Sequence, residues 1–158
     1  MFSATHATAE HTITLPLSAD EAFPLFTPEG ERLWIEGWNP HYIYPANGET
    51  IVGMVFTTGH GDETTYWTLV DFDNGAHTVR YCRVTLGSRS VIVEVKCEAA
   101  GEQETRVIVR YSLTSLSEAG NATIATFVEG YGAMIEDWRT KIIAYLQRQP
   151  HKVFSAGL

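Results

Sequence analysis

An α+β fold, with an antiparallel sheet of about six strands wrapped around a long C-terminal helix, is predicted by three features. Residues 50–116 read as strand after strand, broken only by turn-forming residues. The segment before Pro150 changes to steps of three and four, with Phe127, Tyr131, Ile135, Trp138, Ile142 and Tyr145 on one apolar stripe. Just after a first strand, Ser18 and Glu21 stand in the spacing of a capping box, which starts a helix there.

The elements follow in order. His11 to Leu15 alternates polar and apolar residues and is the first strand. Ser18 caps a short helix whose buried side is Ala22, Phe23 and Phe26. Thr27-Pro28 is a second N-cap with Pro at the first helical position, so two short helices run to about Trp34. A loop rich in Trp, Pro and Tyr follows, from Trp38 to Pro45. Beyond Thr50, breaks at Gly59 to Gly61, Asn74-Gly75, Gly87-Ser88 and Ala99 to Gln103 divide the chain into a five-strand meander. The last helix runs from roughly Asn121 to Arg148 and is stopped by Pro150. The first few residues, and those after Pro150, are loose ends.

Two turns set an expected register. Asn74-Gly75 is the preferred pair for a two-residue turn, which places Leu69 opposite Arg80 and Trp67 opposite Cys82. A two-residue turn at Gly87-Ser88 places Val84 opposite Val91 and Cys82 opposite Val93. One face then carries Trp67, Leu69, Arg80, Cys82, Val84, Val91, Val93 and Val95. The other, with Thr68, Tyr81, Arg83, Glu94 and Lys96, reads as solvated. Val107, Val109, Tyr111 and Leu113 continue the apolar face, and the facing of Val55 against Phe56 stays open.

A chain of 158 residues fits one domain, residues 1–158, with hydrophobic and aromatic contents of 44% and 11% in the globular range. A net charge of −8 excludes nucleic acid as the natural partner, because phosphate binding needs a Lys/Arg surplus. No stretch approaches the ~20 apolar residues of a membrane span, and no secretory leader is visible. Cys82 and Cys97 lie in strand-like runs and read as small core hydrophobes. A cytoplasmic location is expected.

Several segments resemble the SRPBCC (START/Bet v 1-like, polyketide-cyclase-like) superfamily and its helix-grip fold. They are Leu-Pro-Leu-Ser-Ala-Asp-Glu-Ala-Phe at 15–23, Gly-Met-Val-Phe at 53–56, Trp-Thr-Leu-Val-Asp-Phe-Asp at 67–73, and Trp138, Ile142 and Tyr145-Leu146. The superfamily includes lipid and hormone carriers, aromatase/cyclases and co-chaperone domains. The resemblance implies a cavity between sheet and C-terminal helix, entered near the short helices. Trp67, Tyr111, Tyr131, Met134 and Trp138 would line it, with Trp34 and Trp38 at its mouth. An empty void of ~300 Å³ would cost about 7 kcal/mol, so a real one needs a function to retain it. The alternative is that these large side chains simply fill the interior.

On the expected register, Arg80 faces inward and either anchors an anionic end of the ligand or pairs with Asp71 and reaches water. His60, beside Asp62 and Glu63, is the candidate general base, against an ordinary solvated loop histidine. The six His residues show no metal-ligand spacing, so no metal is expected, and no nucleotide or cofactor motif occurs. Three functions remain open. One is binding of a small hydrophobic molecule, with one polar or anionic end. Another is cyclase/dehydratase-type catalysis in the same cavity. The third is a protein-interaction domain with a filled core. No catalytic residue, ligand identity or oligomeric state can be assigned.

Overall fold

The computed structural model describes residues 1–149. Its strands are β1 (His6–Leu15), β2 (His41–Tyr44), β3 (Val55–His60), β4 (Glu63–Asp73), β5 (Thr78–Thr85), β6 (Arg89–Gly101) and β7 (Glu104–Ser115). They form one antiparallel, seven-stranded sheet in the order β1-β7-β6-β5-β4-β3-β2. Between β1 and β2 lie α1 (Ala19–Ala22), a 3-10 turn (Phe23–Phe26) and α2 (Pro28–Glu31). After β7 come α3 (Glu118–Glu129) and α4 (Tyr131–Gln147).

The local signals act as their chemistry dictates. The Ser18 hydroxyl accepts from Glu21 N–H, and the Glu21 carboxylate reaches back to the Ser18 backbone, closing the capping box. Thr27 caps α2 by accepting from Gly30 N–H at 3.1 Å, with Pro28 in the first turn. Gly30 is required there by close approach: a Cβ would stand 1.8 Å from the Pro24 carbonyl oxygen.

Four expectations are corrected. The first strand begins at His6, where it pairs with Thr114 of β7, rather than at His11. The segment from Trp38 to Pro45 contains a short edge strand, β2, so the sheet has seven strands rather than six. The C-terminal helix is two helices that break at Gly130, whose φ of −95° and ψ of 5° leave the α region. Its apolar stripe continues through the break, because Gly130 N–H still bonds to Thr126 and Met134 N–H to Gly130. The stop at Pro150 and the chain beyond it lie outside the described residues.

The fourth correction concerns β5. Its hairpin with β4 closes from Asp73 to Thr78, around four residues whose amides the Asp73 carboxylate accepts at Gly75 and Ala76. A bulge at Val70 then shifts the pairing, so that Leu69 faces Tyr81 and Trp67 faces Arg83. On the other side, the loop is Leu86-Gly87-Ser88, three residues with Gly87 at φ 72°, and Thr85 pairs with Arg89. The four-residue loop keeps the parity of a two-residue turn, the Val70 bulge inverts it, and the three-residue loop inverts it on the other side. Val79, Tyr81, Arg83 and Thr85 therefore face inward, and Arg80, Cys82 and Val84 face outward.

The interior face of the sheet meets the helices. It carries Leu69, Val79, Val91, Val93, Val95, Val107, Val109 and Leu113 under Ile124, Ile135 and Ile142. Phe56, not Val55, points inward and is 1% exposed. Along β1, α4 is fastened by the Arg139 Nε donating to the Thr14 carbonyl at 3.1 Å and by His11 against Glu136 at 2.6 Å.

Candidate functional site

Arg83 is the charged residue that β5 turns into the interior. Its guanidinium carbon stands 5.3 Å from the centre of the Trp67 ring and 5.4 Å from that of Tyr111. The Nε is buried with no hydrogen-bond partner. Among the described residues, no carboxylate oxygen comes within 4.0 Å of the guanidinium. Burial pushes its pKa down, and Tyr111, Glu31 and Glu63 act against that through space.

Around it stand the tyrosines and one acid. Tyr81, adjacent on the inward face of β5, donates its hydroxyl to the Phe26 carbonyl at 2.7 Å, tying sheet to 3-10 turn. Tyr131 donates to the Val109 carbonyl at 2.6 Å and stands 5.3 Å from Tyr111. Burial raises the pKa of all three phenols, so they are neutral hydroxyls. Glu31 ends α2, at three-residue steps from the buried Pro28 and Trp34. Burial pushes its carboxyl pKa well above the usual range, and Arg83 only partly opposes that. Thus the interior holds a cation and a carboxyl group without a direct ion pair between them.

The aromatic candidates gather in three groups. Trp38 and Trp67 meet at 5.7 Å, with Phe56 stacked on Trp67 at 5.4 Å. Tyr111 and Tyr131 join Phe127, which stacks on Tyr111 at 5.2 Å. Trp34 and Trp138 meet at 5.6 Å beside Phe26, and Trp34 is fixed by its Nε1 donating to the Leu25 carbonyl at 2.8 Å. Met134 packs half-buried against the same core. Arg83 links the first two groups.

Arg80 does not belong here. Its side chain is 48% exposed, it pairs with Glu94 at 3.3 Å, and it borders an open groove of about 320 Å³ on the outer sheet face. His60 sits exposed at the tip of the β3–β4 hairpin, away from the interior. Cys97 is a buried core residue, its thiol pushed up to about 12 by burial, whereas Cys82 is half-buried on the outer face. A second groove, of about 380 Å³, opens between Arg32 to Glu36 and the last turns of α4, with Trp34 in its wall. It lies on the side where the short helices meet the C-terminal helix.

Sequence reasoning missed Arg83 and Glu31. Nothing local marked the inward turn of Arg83, because the Val70 bulge and the Gly87 loop set it. Glu31 did carry a signal: its helical spacing from Pro28 and Trp34 places it on their face.

No protein-family model matches the sequence, and no curated protein does so either. Solved structures match it in three dimensions. The Mll3558 protein from Rhizobium loti does so with a TM-score of 0.63 and 16% identity, over 89% of this chain and 99% of that one. Norcoclaurine synthase from Thalictrum flavum, in complex with dopamine and hydroxybenzaldehyde, gives 0.65 and 12% over 90% and 88%. Ara h 8.0201 gives 0.61 and 18% over 86% and 99%. At these identities the likeness is one of architecture: the chain has the helix-grip fold that these structures share.

Proposed function

We propose that the protein binds a small, largely apolar molecule with one anionic end, held between the sheet and the C-terminal helices. The observation that carries this reading is Arg83, a half-buried residue turned inward between two rings, its Nε enclosed and no ion-pair partner within reach among the described residues. Taking such a cation partly out of water costs stability, and two ring contacts return only part of it. An anion arriving at Arg83 supplies the missing charge. Trp67, Tyr111, Tyr131, Met134 and Trp138 would give the apolar walls, and Trp34 and Trp38 would stand at the entrance. Norcoclaurine synthase, of like fold, is seen with two small aromatic molecules, which is in keeping with this reading.

The test is native mass spectrometry of the purified protein, followed by solvent extraction and identification of what is released. A near-stoichiometric, acidic, apolar molecule, absent from an Arg83→Met variant, is the expected result. A molecule retained equally by that variant would remove Arg83 from the site. Absence of any bound mass, together with no binding of added anionic aromatics, would favour the filled-core interaction domain.

A second reading, catalysis of the cyclase/dehydratase type, is favoured by the inward polar cluster of Glu31, Tyr81, Arg83 and Tyr111. Conversion of the extracted molecule to a product of different mass, at catalytic protein concentration, separates it from simple binding.

A further inference from the structure

We propose that residues 38–47 form a strap that swings aside to admit the ligand, and that a clasp of Glu29, Arg32 and Tyr42 holds it shut. The proposal rests on the ligand-binding reading above for what enters, and on contact geometry for where. Of the two tryptophans at the entrance, Trp38 is the one placed to move. Trp34 is 4% exposed, its ring meets Phe26 and Trp138, and its indole N–H is bonded to the Leu25 carbonyl at 2.8 Å. Trp38 is half-buried and meets Trp67 and Phe56 edge-on, at 5.7 and 6.2 Å. Arg83 lies 5.3 Å from the centre of that same Trp67 ring, so Trp38 covers the aromatic wall that ends in the guanidinium.

The fastenings of the strap are polar and converge on α2. Trp38 Nε1 donates to the Pro28 carbonyl at 2.9 Å. The Glu29 carboxylate accepts from the Tyr42 hydroxyl and, at 2.7 Å, from the Arg32 Nε. Arg32 also reaches the Asn39 side-chain oxygen and the Pro40 carbonyl, each at 3.3 Å, and stands 6.0 Å from the centre of the Tyr42 ring. Tyr42 is seated on Gly48, where any side chain would collide with its ring. On the sheet side, β2 is an edge strand with three residue pairs to β3 and a register break between Tyr42 and Tyr44. Ile43 and Tyr44 face solvent, 52% and 58% exposed, and anchor nothing.

This arrangement opens without unfolding the core. Gly37 and Gly48 bound the strap at φ 79° and 78°, and residues of that kind absorb the backbone rotation of a hinge. The Glu29 and Arg32 side chains are 56% and 36% exposed, so water replaces each bond of the clasp as it parts. The Tyr42 hydroxyl, and then Arg32, hold the Glu29 carboxyl below its ordinary value, which keeps the clasp charged at neutral pH. Beneath it the wall stays in place. Trp67 is paired with Phe56 and Arg83 across the sheet, and its Nε1 donates to the Thr58 hydroxyl at 3.0 Å. Swinging Trp38 away therefore bares a fixed aromatic surface leading to Arg83.

The experiment follows naphthoic acid binding to the whole protein by stopped-flow fluorescence, in the wild type and in Tyr42→Phe. That variant removes one bond of the clasp and keeps the ring on Gly48. Its association and dissociation rates are expected to rise together by about fivefold to tenfold with Kd unchanged, because a door alters passage equally in both directions. Hydrogen exchange of the ligand-free variant is expected to quicken by a similar factor in residues 38–47 and to match the wild type in β4 to β7. Unchanged rates, or a change in Kd alone, overturn the strap and leave the Arg83 reading standing. Faster exchange spread across the whole sheet also overturns it, by making the bond an ordinary structural one. If the wild type does not bind naphthoic acid, the binding reading fails and the strap has nothing to admit.

Discussion

Trp67 and Arg83 are register partners on β4 and β5, and the guanidinium of Arg83 lies 5.3 Å from the centre of the Trp67 indole. Tyr111 flanks the same cation at 5.4 Å. Such contacts are worth about 0.5–2 kcal/mol each, less than the several kcal/mol of desolvation. The residue therefore costs the apo protein stability. That cost is the physical basis for assigning it to a ligand.

Arg80 is the internal control for the β5 register. It is exposed and pairs with the surface residue Glu94. Arg80→Ala is expected to change unfolding free energy by no more than ~0.5 kcal/mol and to leave acid binding intact. Urea denaturation and calorimetry of this one variant check both statements.

Tyr81 ties β5 to the 3-10 turn through a buried bond to the Phe26 carbonyl. Tyr81→Phe leaves that carbonyl without its donor, at a cost of about 1–3 kcal/mol in urea denaturation. A change within error would mean that the bond contributes nothing to holding the short helices on the sheet.

Gly30 has no room for a side chain against Pro24. Gly30→Ala must displace backbone, with an expected loss of about 2 kcal/mol or more. Unchanged stability would show that α2 tolerates the displacement.

Glu31 also makes stability depend on pH. Burial holds its folded-state pKa well above the ordinary glutamate value, so the unfolded chain releases the proton first. Its contribution is complete below that value and is lost as pH rises to and through the folded-state pKa. Wild-type stability relative to Glu31→Gln is therefore expected to decline from mildly acid to alkaline pH. Urea titrations of both proteins at a series of pH values measure the difference, and a flat or rising difference would contradict a buried, proton-holding Glu31.

The parts of the fold legible in the sequence were those written in local spacing. Ser18 with Glu21, Thr27 with Pro28, and the stripe from Phe127 to Tyr145 each follow from contacts within a turn or two of helix. Trp67 and Tyr111 were placed on the right face because their own strands alternate cleanly. The facing of β5 was not legible, since it depends on the Val70 bulge and on the Asp73 and Gly87 turns together. The Val70 bulge and the three-residue Gly87 loop each shift the register by one, so the two expected registers agree with one another and put Arg80 where Arg83 belongs. The short strand β2 was hidden between Pro40 and Pro45, which keep it short.

The most direct test of the central claim, that Arg83 is kept inside for a ligand rather than for the fold, is urea denaturation of ligand-free Arg83→Met beside the wild type. Methionine fills the stem of the side chain and removes the charge. The account predicts equal stability or a gain of about 1–3 kcal/mol, as when an unneutralised buried charge is replaced by an apolar group. A loss of about 3 kcal/mol or more, in a variant that still folds cooperatively, would contradict it and make Arg83 a structural residue.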